Sequence, residues 1–177
     1  MFKILLILSI FVFPFGQAFA IPITVDFTVS GFPSSVGIPA PTDPVSGSIV
    51  YDALSETADI DSLTSISLSI AGHNYALSEI DFISPWSGNQ LIYGKVSNTS
   101  IFPETNDFWL YWDKATLTPY SFAYASDTVE FSIWTVSSPS NFDTFSVTSA
   151  VPEPATLALM GIGLAGMGFA RKKRKSA

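Results

Sequence analysis

The sequence contains no cysteine, so neither a disulfide nor a thiolate metal site can staple the fold. It has a single histidine, His73, which leaves a thin inventory for catalysis. Positive charge is scarce in the middle of the chain. Between residues 21 and 150 the basic residues are Lys95 and Lys114, against fourteen Asp and Glu. A domain with a net charge of about −12 repels phosphate backbones, whose affinity for proteins comes largely from Lys and Arg displacing counterions. Nucleic-acid binding is thereby excluded. A G-x-S-x-G elbow, an H-E-x-x-H helix and a glycine-rich phosphate loop are also missing. No stretch of 21–150 keeps a 3.6-residue apolar period long enough for a major helix, and no internal repeat is present.

What is there is apolar and aromatic. The 177 residues have room for one ordinary domain plus targeting segments. A hydrophobic content of 47% can supply a core without disulfides, and 15 Phe with six Tyr favour sheets, because aromatic rings fit a pleated, half-buried surface.

The two ends read as delivery signals. Lys3 precedes an apolar run from Ile4 to Phe15, Gly16 and Gln17 break it, and Ala18-Phe19-Ala20 places small residues at −3 and −1. This is the layout of a secretory signal peptide over residues 1–20, cut by signal peptidase after Ala20. At the other end, Val151-Pro152-Glu153-Pro154 leads into an apolar run from Ala155 to Ala170, followed by Arg171, Lys172, Lys173, Arg174 and Lys175. Those sixteen apolar residues span roughly 24 Å as a helix, a little under a hydrocarbon core of about 30 Å, and snorkelling cations make up the difference. The basic block acts as a membrane stop and sets the C-terminus in the cytoplasm, with the domain outside. Pro154 suits the first turn of such a helix, Glu153 sits beside its positive end, and Pro152 keeps the preceding strip extended. Ala158, Gly161, Ala165 and Gly168 fall on one helical side and form a small-residue packing face.

Pro152-Glu153-Pro154, then Ala155-Thr156-Leu157-Ala158-Leu159, a glycine-rich span and terminal Arg and Lys make residues 151–177 resemble a PEP-CTERM sorting signal. The same tail is also catalogued as the ice-binding protein C-terminal domain, a label that describes the tail and not an activity. The resemblance implies a Gram-negative host and recognition of the motif by an exosortase, a membrane cysteine peptidase. It implies removal of the anchor, release or transfer to the surface, and a host that makes extracellular polysaccharide.

Between the ends, apolar and polar residues alternate over 23–29 and again over 65–70, where Ser65, Ser67 and Ser69 face water. Residues 71–74 read as a turn and 75–77 as the start of a returning strand. Further strands are expected at 47–51, 90–96, 107–112, 120–124, 129–136 and 144–148, with turn-rich stretches at 31–44, 84–89, 98–106 and 137–141. The expected fold of 21–150 is an all-β antiparallel sandwich of about eight or nine strands, with a barrel as the alternative. Residues 147–151 read as a short linker to the membrane.

Candidate chemistry is sparse. His73 falls in an expected turn and reads as a solvated side chain. Glu79 with Asp81, or Glu104 with Asp107, are nominal carboxylate pairs for a glycan hydrolase, but fourteen acids make some pair inevitable. Asp59-Ile60-Asp61-Ser62 offers oxygen ligands of the type that suits Ca²⁺, yet lacks the glycine and distal glutamate of an EF-hand and reads as an acidic loop entering a strand. No metal or cofactor is expected. In Phe108-Trp109-Leu110-Tyr111-Trp112 alternation puts Phe108, Leu110 and Trp112 on one face, and Trp109 with Tyr111 on the other. With the first set in the core, Trp109 and Tyr111, joined by Trp134, are the candidate ligand contacts, able to stack on sugar rings; cross-strand packing is the competing role. The expected protein is a non-enzymatic exported module of the surface or matrix that contacts exopolysaccharide. A carboxylate-dependent hydrolase and an inert component that self-associates through sheet edges are the alternatives.

Overall fold

The computed structural model describes residues 20–96 and 99–150. The expectations for a signal helix, the Ala18 position, the sorting motif, the membrane helix and the basic block therefore lie outside the described residues; Ala20 is exposed and precedes the first strand. Ten strands follow in order: β1 (Ile21–Val29), β2 (Val45–Ala53), β3 (Ser62–Ile70), β4 (His73–Asn74), β5 (Ile80–Trp86), β6 (Asn89–Gly94), β7 (Asp107–Asp113), β8 (Thr118–Ala125), β9 (Ile133–Val136) and β10 (Phe142–Ser149). Eight or nine were expected; the strand not expected is β5, whose end falls in the stretch 84–89 read as turn-rich, while the return strand expected at 75–77 is replaced by the two-residue β4.

The strands form two antiparallel sheets of five, ordered β10-β1-β2-β3-β4 and β5-β6-β7-β8-β9. The first sheet buries one face, whereas β6 and β8 of the second are buried on both, with Leu91, Tyr93, Ser121 and Ala123 of the outer face also covered. On β1 the buried set is Ile23, Val25, Phe27 and Val29, while Thr24, Asp26 and Thr28 point away from the core, as the alternation requires. Across the interface Phe27 meets Phe122 at 5.5 Å, Phe32 meets Tyr124 at 5.1 Å, and Tyr51 meets Trp112 at 6.4 Å. These contacts make the two sheets a sandwich, with aromatic rings as its filling.

Two local expectations are corrected. The hairpin after β3 turns on Ala71 and Gly72 alone, at φ of 52° and 85°, which suits a two-residue turn with both centres left-handed. The return strand is His73–Asn74, so His73 is not in the turn. Tyr75 then dives into the core against Phe108, at 4.9 Å, and the Glu79 carboxylate accepts the Ala76 N–H at 2.7 Å, bending the chain into a 3₁₀ turn instead of a longer strand. The second correction concerns the end of the domain. Residues 147–149 are not linker: they finish β10 beside β1, and the Ala150 N–H still donates to the Pro22 carbonyl at 3.1 Å.

The proline-rich stretch between β1 and β2 is held by side chains. Asp43 accepts the N–H groups of Gly31 and Phe32 at 3.1 Å each, and the Tyr124 hydroxyl donates to the Thr42 carbonyl at 2.8 Å. Burial pushes the Tyr124 phenol up to about 12, against the lowering hydrogen bond at Thr42. Burial and then the Glu56 charge push Tyr51 up to about 12 as well. Both lie above the ordinary 10.0, so their contribution to stability is complete below about pH 10 and is lost as pH rises towards 12. The urea midpoint is expected to fall steeply across that window, and less steeply in Tyr51→Phe. A midpoint that stays flat up to pH 12 would contradict this burial.

Candidate functional site

The outer face of the second sheet carries the candidate site. Register sets Leu91 opposite Tyr111 and Tyr111 opposite Ser121, and in the next row Tyr93 opposite Trp109 and Trp109 opposite Ala123. Because Phe108, Leu110 and Trp112 are fully buried between the sheets, Trp109 and Tyr111 point outward. They are half-buried there by neighbours that sequence reasoning missed. Trp86, 41% exposed at the end of β5, meets Tyr111 edge-on at 5.7 Å, and Tyr120, 58% exposed, meets it at 5.3 Å.

These four rings line a groove of about 300 Å³ together with Leu91, Ser121 and Ser137. That volume lies at the small end of ligand sites. Ser121 donates to the Val136 carbonyl at 2.9 Å, and Asn89 Nδ2 donates to the Tyr111 hydroxyl at 2.8 Å, which fixes that ring. Trp109 Nε1 is buried without a hydrogen-bond partner. Flat apolar walls of this kind suit a ligand that presents a C–H face.

Two geometric details kept Trp86 and Tyr120 out of the reading. Trp86 sits at a hairpin end whose turn, Ser87 and Gly88 with φ of 51° and 88°, looks in sequence like plain loop. Tyr120 shares parity with the buried Phe122 and Tyr124, so alternation alone points it inward. The pairing slips between Tyr111 and Trp112, which face Ser121 and Pro119; this bulge turns Tyr120 onto the outer face.

Trp134 is a correction. It is fully buried, stacks on Tyr124 at 5.2 Å and donates Nε1 to the Ile38 carbonyl at 3.2 Å. It pairs with Tyr124 across β8 and β9 and so shares that residue's inward face. The expected strand over 129–136 is also shorter, because Phe131 takes a left-handed φ of 54° and β9 begins at Ile133.

The remaining candidates are dispersed. His73 packs edge-on against Tyr75 at 4.7 Å, with its Nε2 3.2 Å from a Glu79 oxygen. Asp81 lies opposite Tyr93 on the outer face, Glu104 is exposed, and Asp107 is buried with its carboxylate accepting the Phe108 N–H at 3.0 Å. None of these four carboxylates lines the groove. Asp59 pairs with Lys114, Ile60 between the two acids is buried, and Asp61 is exposed as the chain enters β3.

The fold and groove define an all-β domain of two antiparallel sheets with an aromatic outer face. Residues 150–175 match the family model of the PEP-CTERM protein-sorting motif. The chain thus carries the sorting tail of an exported protein that exosortase processes. No curated protein and no solved structure matches the chain.

The two tryptophan environments are separable by mutation. Trp134→Ala is expected to cost about 3–5 kcal/mol in urea unfolding, as for a large core ring, while Trp86→Ala costs under about 1 kcal/mol. Equal costs would mean that the groove rings belong to the core.

Proposed function

We propose that the chain is delivered in three parts: a signal peptide at 1–20, a β-sandwich domain at 21–150 that works outside the cell, and a sorting tail at 151–177. Signal peptidase acts after Ala20. The apolar run from Ala155 to Ala170 then holds the protein in the inner membrane, with the basic block Arg171 to Lys175 cytoplasmic. Exosortase recognises Pro152-Glu153-Pro154 and frees the domain for the surface or the extracellular matrix.

In this reading the domain is a non-catalytic module that contacts exopolysaccharide. The supporting observation is the groove of Trp86, Trp109, Tyr111 and Tyr120. Sugar rings present the C–H faces that such walls take. The strong negative charge of 21–150 favours a neutral glycan over an anionic one, since like charges repel at the contact.

Affinity electrophoresis in gels containing neutral polysaccharides tests the binding half. The processed protein should be retarded, and Trp109→Ala or Tyr120→Ala should abolish the retardation. Equal retardation of the variants, or none for the parent protein, would remove the groove as a glycan site. For the sorting half, replacing Pro152-Glu153-Pro154 by alanines is expected to leave the tail attached, seen as a larger species in the membrane fraction. Normal release of that variant would rule the motif out.

A further inference from the structure

We infer that the folded sheet itself restrains removal of the tail, and that Glu56 is the latch. This rests on the exosortase reading above and adds to it a residue outside the motif that controls access.

The sorting motif starts almost inside the domain. Ser149 is still opposite Ile23, and Ala150 still donates to the Pro22 carbonyl. Only Val151 separates that bonded residue from Pro152. A peptidase takes its substrate as an extended strip that includes residues on both sides of the cut bond. A strip centred on Pro152-Glu153-Pro154 therefore reaches back to Ser149 and Ala150.

β10 is the edge strand of its sheet, so one side of it faces away from β1. N–H groups alternate sides along a strand. With the Ala150 N–H directed at β1, the Ser149 N–H points to the open edge. That edge is where a peptidase could add a strand to the substrate. Glu56 occupies it: one carboxylate oxygen accepts both the Ser149 N–H at 2.9 Å and the Ser149 hydroxyl at 3.0 Å. Glu56 belongs to the connection between β2 and β3, and Ile21, the first residue of β1, pairs with Ala53 just before it. The connection thus straps the last residues of β10 at the end of the sandwich where β1 begins.

The residues upstream of the motif are held on one side by β1 and on the other by Glu56. Cleavage then waits on release of Ser149 and Ala150, and its rate follows the population of the released form. Two hydrogen bonds to a charged acceptor make that population small, so losing them should raise the rate on the order of tenfold.

Pulse–chase of the full chain in a host with the matching exosortase measures the rate of tail loss. Glu56→Ala should accelerate it on the order of tenfold, and Glu56→Gln, which keeps an acceptor oxygen but loses the charge, should fall between the parent and Glu56→Ala. A Gly-Ser-Gly-Ser insertion after Ala150 leaves the domain sequence untouched and should accelerate it as well, so a folding defect in Glu56→Ala does not decide the result. An unchanged or slower rate in the insertion variant overturns the restraint. Acceleration by the insertion, with Glu56→Gln as fast as Glu56→Ala or with Glu56→Ala at the parent rate, removes Glu56 as the latch. The alanine-substituted motif keeps the two readings apart: if it is processed normally, the exosortase reading fails. If it is blocked while the other variants match the parent, only the latch fails.

Discussion

The pairing of β1 with β10 is the constraint on which the rest of the architecture depends. The two strands run antiparallel from Ile23 opposite Ser149 to Val29 opposite Phe142, so the beginning and the end of the domain leave from one pole. Without this pairing the first sheet would lose its outer strand, Phe145 would leave its place beside Trp112 at 6.2 Å, and Val147 would leave the core. The same pairing joins fold to delivery. The segment that matches the sorting motif therefore leaves the domain beside its first strand.

The two outer faces differ in chemistry. The first sheet presents hydroxyls: Thr24, Thr28, Ser48, Ser67, Thr144 and Ser146 all lie on strand positions that alternate with core residues. The second presents indole and phenol rings around a shallow groove. A domain without disulfides must put most of its aromatic residues inside, and the core holds Trp112, Trp134, Tyr51, Tyr124, Phe108 and Phe122 fully buried. Large rings left outside, on one face and beside one another, are the part of the molecule that core packing does not explain.

Strand existence was legible at most positions where one face is buried and the other wet, but β5 was missed, with part of it read as turn. At 23–29 and 65–70 the alternation reads straight onto the structure, and at 107–112 it separates the core face from the face of Trp109 and Tyr111. Sheet order was not legible, because β10 beside β1 is a contact between chain ends that no local pattern encodes. The groove was half legible. A bulge reverses the side of Tyr120, and a two-residue turn brings Trp86 against Tyr111; both are backbone events with weak residue signals. Trp134 shows the converse: an aromatic residue in a short strand reveals its face only through its partner, here the buried Tyr124. The sorting tail was the most legible part, since it is an ordered set of local features and does not depend on tertiary contacts.

The most direct measurement is the intact mass of the protein recovered outside a host that carries the matching exosortase. The account predicts a species that begins at Ile21 and lacks the tail from about Pro152 onward. A secreted species that retains Ala155 to Ala177 would contradict it, because the protein would then have reached the outside without the processing that its tail implies.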